Sequence, residues 1–441
     1  MLNRREFLAL GAASLLQTTR KPNVVFILAD DLGYGDLGCY GQRQIATPHI
    51  DRIASEGVRF TQAYAGSTVC APSRCALMTG LHTGHARIRG NKRISLLPDD
   101  FTVAQLFQAA GYKTGIFGKW GLGDAGQPGI PNLKGFDEWF GYLDQTHAHN
   151  YYTGHLWDNQ REVLFTENWG NRKKTYSHDL FTKRDLDFIE RHRNEPFFLY
   201  AAFTIPHANN EAVGYAGHGM EVPSDAPYSD KPWPAQERCF AAMVNRLDES
   251  VGQIMAALKQ NGLDDNTLVI FTSDNGPHQE GKHDPAFFHS GGPLRGIKRD
   301  LYEGGIRVPW LARWPGKIQP ARTSEAQITF WDFLPTAAEL TGARLPSRAD
   351  GISFLPALMG KPQPAHEYLY WEFYERGFQQ AIRQGDWKAV RLKRGTTPEL
   401  YNLHDDISET RNLASQNPAK AAELGRLMDQ AHTDSADWPV G

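Results

Sequence analysis

The sequence predicts an α/β fold: a large, mixed but mostly parallel sheet flanked by helices, then a small C-terminal antiparallel sheet plus helix. Three observations carry this expectation. Continuous apolar runs at residues 24–28, 197–203 and 268–272 read as strands buried on both faces. Helical patterns lie between them, the longest over 237–260. From about residue 366 the texture changes to short alternating strands.

Taken in order, the run 24–28 ends at Ala29-Asp30-Asp31. Residues 48–57 read as a helix: Thr47 can cap it, Pro48 opens it, Ile50 and Ile53 face inward, and Gly57 ends it. A short strand follows over 60–65, then a helix over 75–81, just beyond Cys70. Residues 102–110 form another helix closed by Gly111, and a strand over 114–117 delivers Lys119. The centre, 121–180, is rich in Gly, Asn, His and Tyr and reads as loops laid over a scaffold, where specificity usually resides. The strand 197–203 ends near His207, and 268–272 ends at Asp274. The C-terminal strands fall at 367–373, 379–383, 387–392 and 400–403, before a helix over 418–432.

The 441 residues allow two or three domains. A net charge of −3 and the absence of any long Lys/Arg run speak against nucleic acid as a partner. Eleven Trp and 16 Tyr fill a large core, or in part face a carbohydrate. Arg4-Arg5 before the apolar stretch 9–16 resembles a twin-arginine export signal over 1–21. That stretch is too short to span a membrane, and the expectation is a soluble protein exported to the periplasm or beyond. The four cysteines are 39, 70, 75 and 239. If Cys70 is chemical, an odd number remains, which is a poor disulfide framework.

Ligands in open α/β sheets gather beyond the carboxyl ends of strands. Asp30-Asp31 and Asp274-Asn275 stand at two such ends. Either pair alone would serve as turn chemistry or a helix cap. Together they form an all-oxygen set suited to Ca²⁺ or Mg²⁺.

Cys70-x-Pro72-x-Arg74 with Thr79-Gly80 resembles the signature of the type I, formylglycine-dependent sulfatases, arylsulfatase-like members of the alkaline phosphatase superfamily. The likeness covers nearly the whole mature chain, through Gly118-Lys119-Trp120, Pro206-His207, Ser273-Asp274-Asn275-Gly276, the run 303–309, and Glu399-Leu400-Tyr401-Asn402-Leu403. It implies an alkaline phosphatase-like fold, a sulfatase catalytic domain over 22–365 and a C-terminal subdomain over 366–441. It also implies that a maturation enzyme converts Cys70 to Cα-formylglycine. The hydrated aldehyde attacks sulfur through one oxygen and later expels sulfate by re-forming the aldehyde. By the same resemblance, Asp30, Asp31, Asp274, Asn275 and the group made from Cys70 bind the cation, usually Ca²⁺. Arg74 holds the formylglycine hydroxyls, Lys119 and Lys298 clamp sulfate, and His207 protonates the leaving oxygen.

The chain departs from the family at Gly121, where many members carry a His that contacts the nucleophile. His147 or His149 is expected to fill that gap. Two segments, 145–152 and 277–295, are expected to read a sulfated sugar, of galactose or N-acetylgalactosamine type, through His147, His149, His283, Asp284 and Arg295. Two other readings stay open: a phosphonate or phosphate esterase of the same superfamily, and a non-catalytic secreted carbohydrate- or Ca²⁺-binding protein.

Overall fold

The computed structural model describes residues 20–345 and 348–440. Its strands are β1 (Asn23–Ala29), β2 (Val58–Phe60), β3 (Ala63–Tyr64), β4 (Lys113–Lys119), β5 (Glu138–Tyr142), β6 (His155–Asp158), β7 (Arg161–Leu164) and β8 (Phe197–Ala202). They continue with β9 (Thr267–Ser273), β10 (Trp310–Arg313), β11 (Arg322–Ser324), β12 (Ile328–Thr329), β13 (Leu369–Phe373), β14 (Gln379–Gln384), β15 (Trp387–Arg391) and β16 (Glu399–Asn402). Ten of them form one sheet in the order β11-β2-β10-β9-β1-β8-β4-β5-β6-β7. The five central strands, β9-β1-β8-β4-β5, are all parallel, so their carboxyl ends share one edge. Antiparallel strands close both sides: β10 next to β9, and the β6–β7 hairpin next to β5.

Each central strand is buried on both faces because helices cover the sheet twice. On β1, Val24, Phe26 and Leu28 point into one core, with Phe107, Phe198 and Phe333. Val25, Ile27 and Ala29 point into the other, with Phe188, Leu199 and Leu247. The helix Ala235–Gln260 seals that second face with Phe240, Val244, Leu247, Val251, Ile254 and Leu258, a stripe at helical spacing.

Two differences from the sequence-based expectation bear on the site. The helix expected over 75–81 begins at Cys70 and ends at Thr79. Pro72 falls in its first turn, where a missing N–H costs nothing. Gly80, at φ 71°, turns left-handed and closes it, its N–H donating to the Ala76 carbonyl at 3.0 Å. The centre, read as loops, contains β5 and the β6–β7 hairpin.

Strands β13 to β16 form a separate antiparallel sheet, packed against the helix Pro418–Ala431 through Ile382, Ala389, Leu424 and Met428. Lys388 on β15 ties this sheet to the main body. Its buried ammonium lies 2.9 Å from both Glu303 Oε1 and Glu409 Oε1. No helix among the described residues is long and apolar enough to cross a membrane. The expected export signal lies, but for its last two residues, outside the described residues.

Candidate active site

The parallel edge assembles the site strand by strand. Asp30 and Asp31 follow β1, Asp274 and Asn275 follow β9, Lys119 ends β4, and His207 lies five residues past β8. Gly118 lets β4 press against β8 at this point: its φ is +124°, and a Cβ there would lie 1.9 Å from the Ala202 carbonyl oxygen. Asp31 adopts φ 65°, a left-handed turn that aspartate tolerates, and its N–H donates to Asp274 Oδ1 at 3.1 Å.

Cys70 opens its helix, fully surrounded, with Sγ 3.4 Å from Asp30 Oδ1. Burial, and next the Asp30 carboxylate, push its thiol well above the usual range. Arg74, one turn along, donates to Asp274 Oδ2 from Nε at 3.0 Å and Nη2 at 2.8 Å, and to the Lys119 carbonyl at 2.9 Å. Lys119 Nζ sits 2.6 Å from Asp30 Oδ2, and Lys298 Nζ sits 2.8 Å from Asp31 Oδ2. Burial alone would raise Asp30, but Lys119, His207, Arg74 and Lys298 together hold it well below the carboxylate range. Asp274 goes the other way: burial, reinforced by Asp30, takes it up to about 7 despite Arg74.

His207 Nδ1–H donates to the Ala208 carbonyl at 2.6 Å, which leaves Nε2 to accept from Lys298 Nζ at 3.0 Å. Burial, then Lys298, takes His207 down to about 4, so the ring is neutral at pH 7. Burial would lower Lys298 too, but the carboxylates of Asp31 and Glu280 outweigh it and keep the ammonium protonated.

The donor set fits a hard divalent cation. Side-chain donor atoms of Asp30, Asp31, Cys70 and His207 all lie within 4.8 Å of one another. The Asn275 Nδ2 donates to Asp31 Oδ1 at 2.7 Å, and its Oδ1 is buried without a hydrogen-bond partner among the described residues. A buried amide oxygen left over beside three carboxylates is what an oxygen-seeking cation would use.

The structure brings Cys70, Arg74, Lys119, His207, Lys298, Asp30, Asp31, Asp274 and Asn275 together. It separates the residues expected to read a sugar. His149 stacks on His207 at 4.5 Å between ring centroids and so borders the site. His147 turns back into its own loop, stacked on His155 and bonded to Thr153 Oγ1 at 2.7 Å. His283 is buried, its Nδ1 2.6 Å from Glu237 Oε2 and its ring flat on Phe240, which leaves no surface for a ligand. Asp284 is exposed, and its Oδ1 accepts from Ala286 N at 3.0 Å. Arg295 is committed to the C-terminal sheet, donating to Tyr401 Oη at 3.1 Å and the Glu409 carbonyl at 2.8 Å.

Neither histidine of the pair occupies the gap at Gly121. Gln145 does: a Cβ on Gly121 would lie 1.7 Å from Gln145 Nε2. Glu280 is a second residue the sequence reading passed over; its Oε2 pairs with Lys298 Nζ at 2.9 Å. Both fall inside the two segments, 145–152 and 277–295, expected to read the sugar, but neither is singled out there by its own chemistry.

A site of this kind, at the carboxyl edge of an alkaline phosphatase-like sheet, defines a hydrolase of oxyacid esters. The chain belongs to the sulfatase family and is a sulfuric ester hydrolase. The Sulfatase family model matches residues 22–343, and the model for the C-terminal part of N-sulphoglucosamine sulphohydrolase matches 297–434. The chain is 31% identical to N-acetylgalactosamine-6-O-sulfatase of Bacteroides thetaiotaomicron, over 95% of this chain and 94% of that protein. It is 33% identical to arylsulfatase A of Homo sapiens, over 96% of this chain and 89% of that one. Among solved structures it resembles Ps i-CgsB in complex with k-i-k-neocarrahexaose, with a TM-score of 0.82, 29% identity, and coverage of 93% and 92%.

Proposed function

We propose that this enzyme removes sulfate from a sulfated carbohydrate, of the galactose or N-acetylgalactosamine type, after export from the cytoplasm. The observation that carries the reading is Cys70 at the foot of its helix, facing Asp30 and flanked by Lys119 and Lys298. The substrate class is supported by likeness to an N-acetylgalactosamine-6-O-sulfatase over nearly the full length of both chains.

As encoded, Cys70 is a poor nucleophile, because its thiol stays protonated at neutral pH. Conversion to formylglycine by a maturation enzyme would supply a hydrated aldehyde, an oxygen nucleophile with its own route to release sulfate. A divalent cation, Ca²⁺ or Mg²⁺, held by Asp30, Asp31, Asp274 and Asn275, would supply Lewis-acid stabilisation of negative charge.

The chain's own residues do the rest. Arg74 fixes Asp274 and braces the helix that presents residue 70. Lys119 and Lys298, held against Asp30 and Asp31, aim two ammonium groups at the place where sulfate sits. The Lys298–His207 contact keeps a proton beside the leaving oxygen, with Lys298 Nζ as donor and His207 Nε2 as acceptor.

The test is a screen of matured protein against sulfated mono- and oligosaccharides, read as inorganic sulfate released. The reading expects release from 6-sulfated N-acetylgalactosamine or galactose. Release of phosphate from matched phosphate esters, with no sulfate from any sugar, would favour the esterase alternative.

A further inference from the structure

Gln145 lies in the loop after β5, and its amide reaches the space above Gly121. Both ends of that amide, Oε1 and Nε2, are buried and have no hydrogen-bond partner among the described residues. A buried, unbonded amide is destabilising by about 1–3 kcal/mol, so both of its ends are available to a partner that arrives from outside.

A cleft supplies the route for one. Gln145 lines it together with Asn91, Lys92, Arg93, Gly121 and Asp124, and it opens to solvent. One contact and one stretch of chain join this cleft to the reacting centre. Asn91 Oδ1 accepts from Ala71 N at 3.1 Å, at the same helix foot that carries Cys70. Gly121 follows Lys119 by two residues. Further along the same loop, His149 stacks on His207, so the loop borders the site directly.

We propose that Gln145 is the residue that reads the sugar ring carrying the sulfate, through a hydroxyl or acetamido group next to the ester. The inference rests on the sulfated-carbohydrate reading above. A primary amide presents one donor face and one acceptor, which matches a hydroxyl that both donates and accepts. An amide does not take up a proton at neutral pH, so Gln145 cannot serve as the base that a histidine at 121 would be. Its contribution is selection. A site built to bond a particular hydroxyl discriminates strongly against a ligand that lacks it, because its own polar group is then left unpaired.

Binding separates this role from a structural one. In Cys70→Ala protein, which lacks the nucleophile, the affinities of N-acetylgalactosamine 6-sulfate, galactose 6-sulfate and inorganic sulfate would be measured by calorimetry. Adding Gln145→Ala should weaken the better sugar sulfate at least about tenfold, and leave inorganic sulfate within about twofold. Gln145→Glu, which keeps the shape and loses the donor, should weaken the sugar in the same direction. Unchanged sugar affinity in both variants would overturn the proposal, and so would an equal loss for sugar sulfate and inorganic sulfate. If the parent binds inorganic sulfate and neither sugar sulfate, the sulfated-sugar reading falls, and this inference falls with it.

Discussion

Cys70 and His207 are each perturbed by burial, with opposite chemical consequences. For Cys70, burial and Asp30 favour the neutral thiol, which is the wrong form for attack. For His207, burial and Lys298 favour the neutral ring, whose Nε2 accepts a hydrogen bond from Lys298 and so holds that ammonium, the proton source, beside the leaving oxygen. Proton delivery matters only when the leaving group is a poor one, such as a sugar alkoxide. His207→Ala is therefore expected to slow sulfate release from a sugar sulfate by about 10²–10⁴-fold, the usual scale for general acid catalysis. Hydrolysis of 4-nitrophenyl sulfate, whose phenolate leaves unaided, should fall far less. Equal losses on both substrates would assign His207 to holding the site together.

Five parallel strand ends explain why so much of the site is legible in the sequence. Strands β1, β8 and β9 are buried on both faces, so they appear as unbroken apolar runs, and a functional residue stands within five positions of each strand end: Asp30, His207 or Asp274. Strand β5 is not legible in this way. Its segment Glu138–Tyr142 contains Gly141 and sits in a Gly-, Asn- and His-rich stretch, so its end, and with it Gln145, looks like loop. Nor does the sequence give the start of the Cys70 helix, because Pro72 in a first turn and Pro72 in a loop read alike.

The helix Ser177–Arg191 is masked by its own buried face, which mixes Phe181, Phe188 and Ile189 with His178, Thr182 and Asp185. Asp185 is fully buried and neither carboxyl oxygen has a partner among the described residues, so burial raises it well above its ordinary 3.8. A carboxyl raised in the folded state weakens the fold as pH climbs from its unfolded value, because the unfolded chain releases the proton first. Asp185→Leu is expected to raise stability by about 1–3 kcal/mol in urea unfolding, and the gain should grow from pH 4 towards pH 8. A loss of stability, or a gain independent of pH, would show that Asp185 has a partner in solution.

Across the whole molecule, the oxygen donors come from two strands, β1 and β9, far apart in sequence and adjacent in space. Arg74 and the two lysines offset part of their charge, yet Asp274 is still pushed up to about 7. A cation bound there stabilises the fold in proportion to its occupancy. Stripping divalent ions with a chelator is expected to lower Tm and abolish sulfate release together, and added Ca²⁺ or Mg²⁺ should restore both. Full activity after exhaustive chelation would rule out a role for a cation. The most direct test of the account is the mass of the peptide bearing residue 70, taken from intact protein purified in its active form. The account predicts formylglycine, as aldehyde or hydrate, in a fraction that tracks the rate of sulfate release. A free thiol at Cys70 in fully active protein would contradict it.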